Sequence, residues 1–141
     1  MDYVYKAKLE PDPDDGFLVT FPDVPEAITH GKDRKEALAS AAEALGLALR
    51  GYLADGLPLP VAKAEGLDDV AVHADDAMKL ALIEAFNVSG LSKSELARRL
   101  GKNETEARRL LDPDHPSKFA IMQAALAELG KTIVVSVRDA A

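Results

Sequence analysis

The sequence predicts an α+β protein in two parts: a small antiparallel sheet with one long helix, followed by an all-α helix-turn-helix domain with a C-terminal strand. Three observations lead there. Over residues 1–74, short alternating runs between proline- and glycine-rich turns give way to one long stretch of helical spacing. Residues 92–112 read as two short amphipathic helices that meet at Gly101, the pattern of a helix-turn-helix. Charge is divided as well. Residues 1–74 hold 7 Lys+Arg against 14 Asp+Glu, net −7, whereas residues 75–141 hold 10 of each, net 0. Domain boundaries are therefore expected at 1–74 and 75–141.

The first strand is expected over residues 3–9, with Tyr3, Tyr5, Ala7 and Leu9 on one face. Residues 10–16, rich in proline and aspartate and ending in Gly16, form a turn. A calcium loop is rejected there, because Gly16 falls where a ligand is needed and Pro13 stiffens the segment. Phe17 to Phe21 is the returning strand, and Ala27 to Gly31 a third. Asp33 and Glu36 have capping-box spacing. Leu38, Ala41, Ala42, Leu45, Leu49, Tyr52 and Leu53 then keep helical spacing to about Ala54, where Asp55-Gly56 stops the helix. Asp69 to His73 reads as a fourth strand.

Ala74, Asp75 and Asp76 mark the start of the second part. Met78, Leu82, Ala85 and Phe86 give its first helix an inward stripe. The helix-turn-helix follows, from Ser92 to Leu100 and from Asn103 to about Leu111. Ala97 is small enough for two helices to cross closely, and Gly101 can take the positive φ of a sharp turn. Asn103 is expected to cap the second helix, with Glu106 three residues on. After a rigid turn at residues 112–116, Ser117 is expected to cap a helix that buries Phe119, Met122, Ala125, Leu126 and Leu129. Residues 131–138 read as a final strand, with Ile133, Val135 and Val137 on one face.

Hydrophobic residues make up 48% of the chain and aromatic ones 5%, so its cores must be mostly aliphatic. There is no cysteine, hence no disulfide framework and no thiolate metal site. No basic start followed by an apolar run opens the sequence, and no stretch approaches membrane-spanning length. A cytoplasmic protein with no membrane partner is expected. His30, His73 and His115 have no ligand spacing, and no serine or histidine sits in a nucleophile motif. No metal, cofactor or catalytic residue is expected.

Asp15-Gly16-Phe17-Leu18-Val19-Thr20-Phe21-Pro22-Asp23-Val24-Pro25, then Thr29-His30-Gly31, then Glu36-Ala37-Leu38 and Ala42-Glu43-Ala44-Leu45 resemble the HicB antitoxin family over roughly residues 3–73. Glu26-Ala27 departs from it, since many members carry Gly-Cys there. The resemblance implies a degraded ribonuclease-H-like fold without its activity. Ribonuclease H chemistry needs a carboxylate within the first strand to help hold two Mg²⁺ ions ~4 Å apart, and Tyr5, Lys6 and Ala7 stand there instead. Residues 75–130 resemble the phage-repressor (Xre-type) family through Leu91-Ser92, Glu95-Leu96-Ala97, Leu100-Gly101 and Leu110-Leu111, then Ala124, Leu126, Ala127 and Leu129-Gly130. Lys102 replaces a usual apolar residue, and Ala107 is smaller than the usual branched one.

These resemblances imply an antitoxin of the HicAB type. It would neutralise a HicA-like mRNA-cleaving ribonuclease by direct binding and repress its own operon through the helix-turn-helix. On DNA, the helix starting near Asn103 would enter the major groove and direct Asn103, Glu104, Thr105 and Arg108 to base edges. Arg108 suits guanine O6 and N7, and Glu104 suits cytosine N4. Lys93, Lys102 and Lys118 are expected on phosphates. Arg109 is expected either there or paired with Glu106, and Arg98 and Arg99 are equally suited to pairing with Glu95. Toward the toxin, Asp14, Asp15 and Asp23 offer carboxylates to a basic surface, though each equally serves to solvate a turn. One such module buries little DNA, so a homodimer or higher even oligomer is expected, joined through the tail strand 132–137. Two other functions compete. A stand-alone helix-turn-helix repressor with a small-molecule-sensing N-terminal domain calls for a phosphate loop or pocket signature, and neither is present. A residual hydrolase lacks the carboxylates.

Overall fold

A computed structural model describes residues 2–140. The chain forms two compact units, one made of the residues up to His73 together with the C-terminal residues from Asp139, and the other spanning Ala74–Arg138. In the first, β1 (Val4–Pro11), β2 (Phe17–Thr20) and β3 (Ile28–Gly31) precede α1 (Arg34–Ala54) and β4 (Asp68–Ala71). They build a four-stranded sheet of order β3-β2-β1-β4 in which every neighbouring pair is antiparallel. The register sets Leu9 opposite Val19 and Tyr5 opposite Val70. Side chains alternate across a strand, so Tyr5, Ala7, Val19 and Val70 are buried while Lys8, Glu10, Leu18 and Asp69 are exposed.

α1 supplies Ala37, Ala41, Leu45 and Leu49 to the same core. Its small residues let the helix lie close to the sheet, and the approach is tight at Gly31. A Cβ on Gly31 would stand 2.2 Å from the Ala37 amide nitrogen, a distance no side chain tolerates. Asp33 caps α1 as its spacing predicts, its Oδ1 accepting from the Glu36 amide at 2.8 Å. From the end of α1 the chain returns to β4 through an extended strap. Pro60 O accepts from the Tyr5 hydroxyl at 2.6 Å, and Asp23 Oδ2 accepts from the Lys63 and Ala64 amides, each at 2.8 Å.

The second unit holds α2 (Ala74–Ser89), α3 (Lys93–Leu100), α4 (Glu104–Leu110) and α5 (Phe119–Glu128). Its core gathers Leu82 and Ala85 of α2, Leu110 of α4, and Met122, Ala125 and Leu126 of α5. Ser92 caps α3 and Asn103 caps α4, accepting from Glu95 and Glu106 amides at 3.1 and 2.8 Å. Gly101 ends α3 at φ 66°, the left-handed conformation that turns the chain sharply into α4. Among the described residues no helix is long and apolar enough to cross a membrane.

Three expectations in this unit need correction. Ser117 does not cap α5: the cap position is Lys118, with no side-chain bond, because the Ser117 hydroxyl is turned toward Lys79. Phe119 is 52% exposed, since as the first residue of α5 it lies outside the cluster formed by Met122, Ala125 and Leu126. The tail forms no strand. Residues 131–140 carry no regular secondary structure, because a strand needs a neighbour to take its backbone hydrogen bonds and among the described residues no strand pairs with them. Ile133 packs against the helical core, and Val134, Val135 and Val137 are exposed.

Candidate nucleic-acid interface and acidic hairpin

α3 and α4 present their charges in two different ways. Arg98 and Arg99 are engaged on their own helix: both guanidiniums bond Glu95, with Nε atoms at 2.9 and 3.1 Å. These bonds pull the Glu95 carboxyl down to about 2, well below the usual carboxylate range. The alternative in which Arg98 and Arg99 pair with Glu95 is the one observed.

Three further cations surround a cleft of about 380 Å³ between α4 and the start of α5. Lys102, Arg109 and Lys118 line it, together with His115 and Glu106. These three cations come from the turn before α4, from α4 itself and from the cap position of α5. A lining of this kind suits an anion such as a backbone phosphate, which calls for several donors of one sign in a small space. Lys93 lies elsewhere, exposed at the first position of α3.

Along the exposed side of α4, Glu104, Thr105 and Arg108 are all open to solvent. Arg108 Nη2 donates to Glu104 Oε1 at 2.8 Å, and Ser94 Oγ donates to Glu104 Oε2 at 3.1 Å. Glu104 therefore steadies Arg108 from one side while Ser94 of α3 steadies Glu104. Asn103 is exposed as well, with its Oδ1 engaged by the cap bond from the Glu106 amide.

The sequence alone assigns no role to two residues placed here, His115 and Lys79. His115, in the turn after α4, is half-buried in the cleft wall. Lys79 is 3% exposed on α2, with Nζ donating to Arg109 O at 3.2 Å, Leu110 O at 2.9 Å and Ser117 Oγ at 2.7 Å. Burial lowers this lysine to about 8, opposed by the charge of Asp112. A signal did exist, for Lys79 stands three and four residues before Leu82 and Ile83, on the apolar stripe itself.

In the first unit, two acids of the β1–β2 hairpin accept from backbone amides of the turn itself. Asp12 Oδ1 accepts from the Asp14 amide and Asp15 Oδ1 from the Gly16 amide, both at 2.9 Å. Asp15 holds φ 110°, a strained value for a residue with a side chain. His30 on β3 reaches the tip, its Nε2 3.0 Å from Asp15 O and 3.8 Å from Asp12 Oδ2. Asp14 and Asp15 are exposed. Asp23 is half-buried and spends one carboxylate oxygen on the strap, and the two amides there hold its carboxyl below the ordinary range.

Comparison with known proteins finds one family model, described as HicB_like antitoxin of bacterial toxin-antitoxin system, matching residues 4–85. The chain is similar to Antitoxin HicB 1 of Photorhabdus laumondii subsp. laumondii, 35% identical over 133 residues, which covers 94% of this chain and 86% of the relative. Similarity to Antitoxin HicB of Escherichia coli K12 is 37% over 131 residues, covering 92% of this chain and 95% of the relative. Antitoxin HicB 2 of Photorhabdus laumondii subsp. laumondii is 39% identical over 127 residues, with 90% and 91% covered.

Proposed function

The chain belongs to the HicB-like antitoxins of bacterial toxin–antitoxin systems and is not an enzyme, and from that membership we propose a division of labour between its two units. The first unit covers a small basic ribonuclease toxin of the HicA type. The second binds the promoter of the shared operon as a helix-turn-helix, with α4 in the major groove, and represses it. Both tasks belong to the cytoplasm.

One observation carries the DNA half: Lys102, Arg109 and Lys118 line a single cleft beside the exposed side of α4. Phosphate contacts at the cleft fix the register of the duplex, and Arg108 and Glu104 then face base edges. Lys93, Thr105 and Asn103 complete that surface. For the toxin half, the support is the acidic balance of residues 1–74 and the exposed Asp14 and Asp15 at the hairpin tip. Asp23 takes a lesser part, since the strap already occupies one of its oxygens. Three consecutive antiparallel strands, a helix and a fourth strand beside the first suit descent from a degraded ribonuclease-H-like sheet. The tail joins two chains into a dimer, so that two α4 helices meet half-sites ~34 Å apart.

The test is co-expression with the short basic reading frame beside its gene, together with binding to its own upstream region. The chain is expected to restore growth, to co-purify with the toxin, and to prefer the upstream duplex to a scrambled one. Failure to co-purify or to restore growth removes the first half of the proposal, and indifference to the upstream duplex removes the second.

A further inference from the structure

We propose that Lys79, which is shut away from solvent, is the positioning residue of the DNA-reading surface: from α2 it fixes the C-terminal end of α4 and the turn that carries the cleft. This inference rests on the reading of the second unit as an operator-binding module. Among the described residues Lys79 is the one charged side chain that is buried. Its three bonds go to Arg109 O, Leu110 O and Ser117 Oγ.

The choice of acceptors gives the role. The carbonyls of the last turn of a helix have no partner within it, and they carry the negative end of its dipole. An ammonium there satisfies both needs at once. α4 is only seven residues long, too short to hold its own shape or direction in water. Its N-terminal end is fixed by the Asn103 cap, and Lys79 holds the other. Through Ser117 the same ammonium tethers the segment that brings His115 and Lys118 to the cleft. One buried group thus ties α2, α4 and the approach to α5 together.

The burial is costly, as the lowering of its pKa to about 8 reflects. An apolar residue of the same length would fill the space with less penalty. What methionine cannot supply is direction: without the three bonds α4 can rock about its apolar contacts, Ala107 and Leu110. Base readout demands a guanidinium held in place against the groove, whereas attraction to phosphates tolerates rocking.

The experiment compares the full-length chain with Lys79→Met, using a duplex of its own upstream region and a scrambled duplex of equal composition over a series of salt concentrations. Lys79→Met is expected to keep its circular dichroism, its affinity for the scrambled duplex and its salt slope, while preference for the upstream duplex falls at least tenfold. Wild-type preference in the folded variant overturns the inference. So does a loss shared equally by both duplexes with a salt slope reduced by about one, the signature of a direct phosphate contact. If Lys79→Met does not fold, Ser117→Ala decides: it removes one acceptor and is expected to lower preference several-fold, and unchanged preference overturns the inference. A wild-type chain that ignores the difference between duplexes overturns the underlying reading instead, so the two failures are distinct.

Discussion

Arg108 is held by a neighbour of opposite charge, Glu104, four residues before it on α4, and both remain exposed. In solution such a pair adds little stability, because water screens it. On the proposed operator-binding reading its value lies in geometry, since one bond to Glu104 leaves the rest of the guanidinium fork to meet the N7 and O6 edge of a guanine. Arg108→Ala is expected to remove ~1–3 kcal/mol of discrimination at one base pair, with little change in affinity for scrambled DNA. Competition binding against operators mutated at single positions measures this, and an unchanged profile would take α4 out of the groove. Residue types were legible in the sequence at this scale; their partners were less so. The i, i+4 spacing of Glu95 and Arg99 foretold that pair. Nothing local foretold that Asp23 would be taken by amides forty residues away, or that Ser117 would turn from a helix end to a buried lysine.

The elements were legible where a local rule decided them. Asp33, Ser92 and Asn103 each precede a glutamate by three residues, and each caps its helix as that spacing implies. The three first strands and the hairpin tip follow from alternation and turn chemistry, shifted by one or two residues at their ends. β4 begins at Asp68 and ends at Ala71 rather than covering 69–73, because pairing with β1 sets its limits. The strap was not legible at all, since what orders it is tertiary: Tyr5 and Asp23 hold it from a distance. Gly31 makes the contrast testable. Gly31→Ala forces a Cβ to within 2.2 Å of the Ala37 amide, so helix and sheet must separate. Overpacking of that kind costs about 1–3 kcal/mol. Gly51→Ala, on α1 where an added Cβ meets nothing within 4 Å, is expected to move the other way by roughly 0.5–1 kcal/mol through helix propensity. Urea unfolding of the two variants reads both signs, and a neutral Gly31→Ala would mean that the contact relaxes freely.

Over the whole molecule, the division of charge matches the proposed division of work, acidic toward a basic toxin and balanced but locally basic toward DNA. The tail is where the single chain looks unfinished. Val134, Val135 and Val137 are 87%, 74% and 92% exposed, in a stretch with the β-branched composition of a strand and no strand to pair with. Alternation in the sequence predicts a strand here and the chain forms none, because a strand is a property of a pair and one chain supplies only half of it. An unpaired run of this kind invites a second copy of itself. A symmetric pair then serves DNA binding directly, because two half-site contacts on one duplex reinforce each other far beyond either alone. Removing residues 134–141 spares Ile133, which packs on the helical core, so the second unit should keep its fold. The truncated chain is expected to be monomeric by light scattering, to lose operator binding by at least tenfold, and still to co-purify with the toxin. If it remains dimeric, the contact between copies lies elsewhere; if it is monomeric yet binds the operator as before, one α4 suffices and the two-half-site requirement falls.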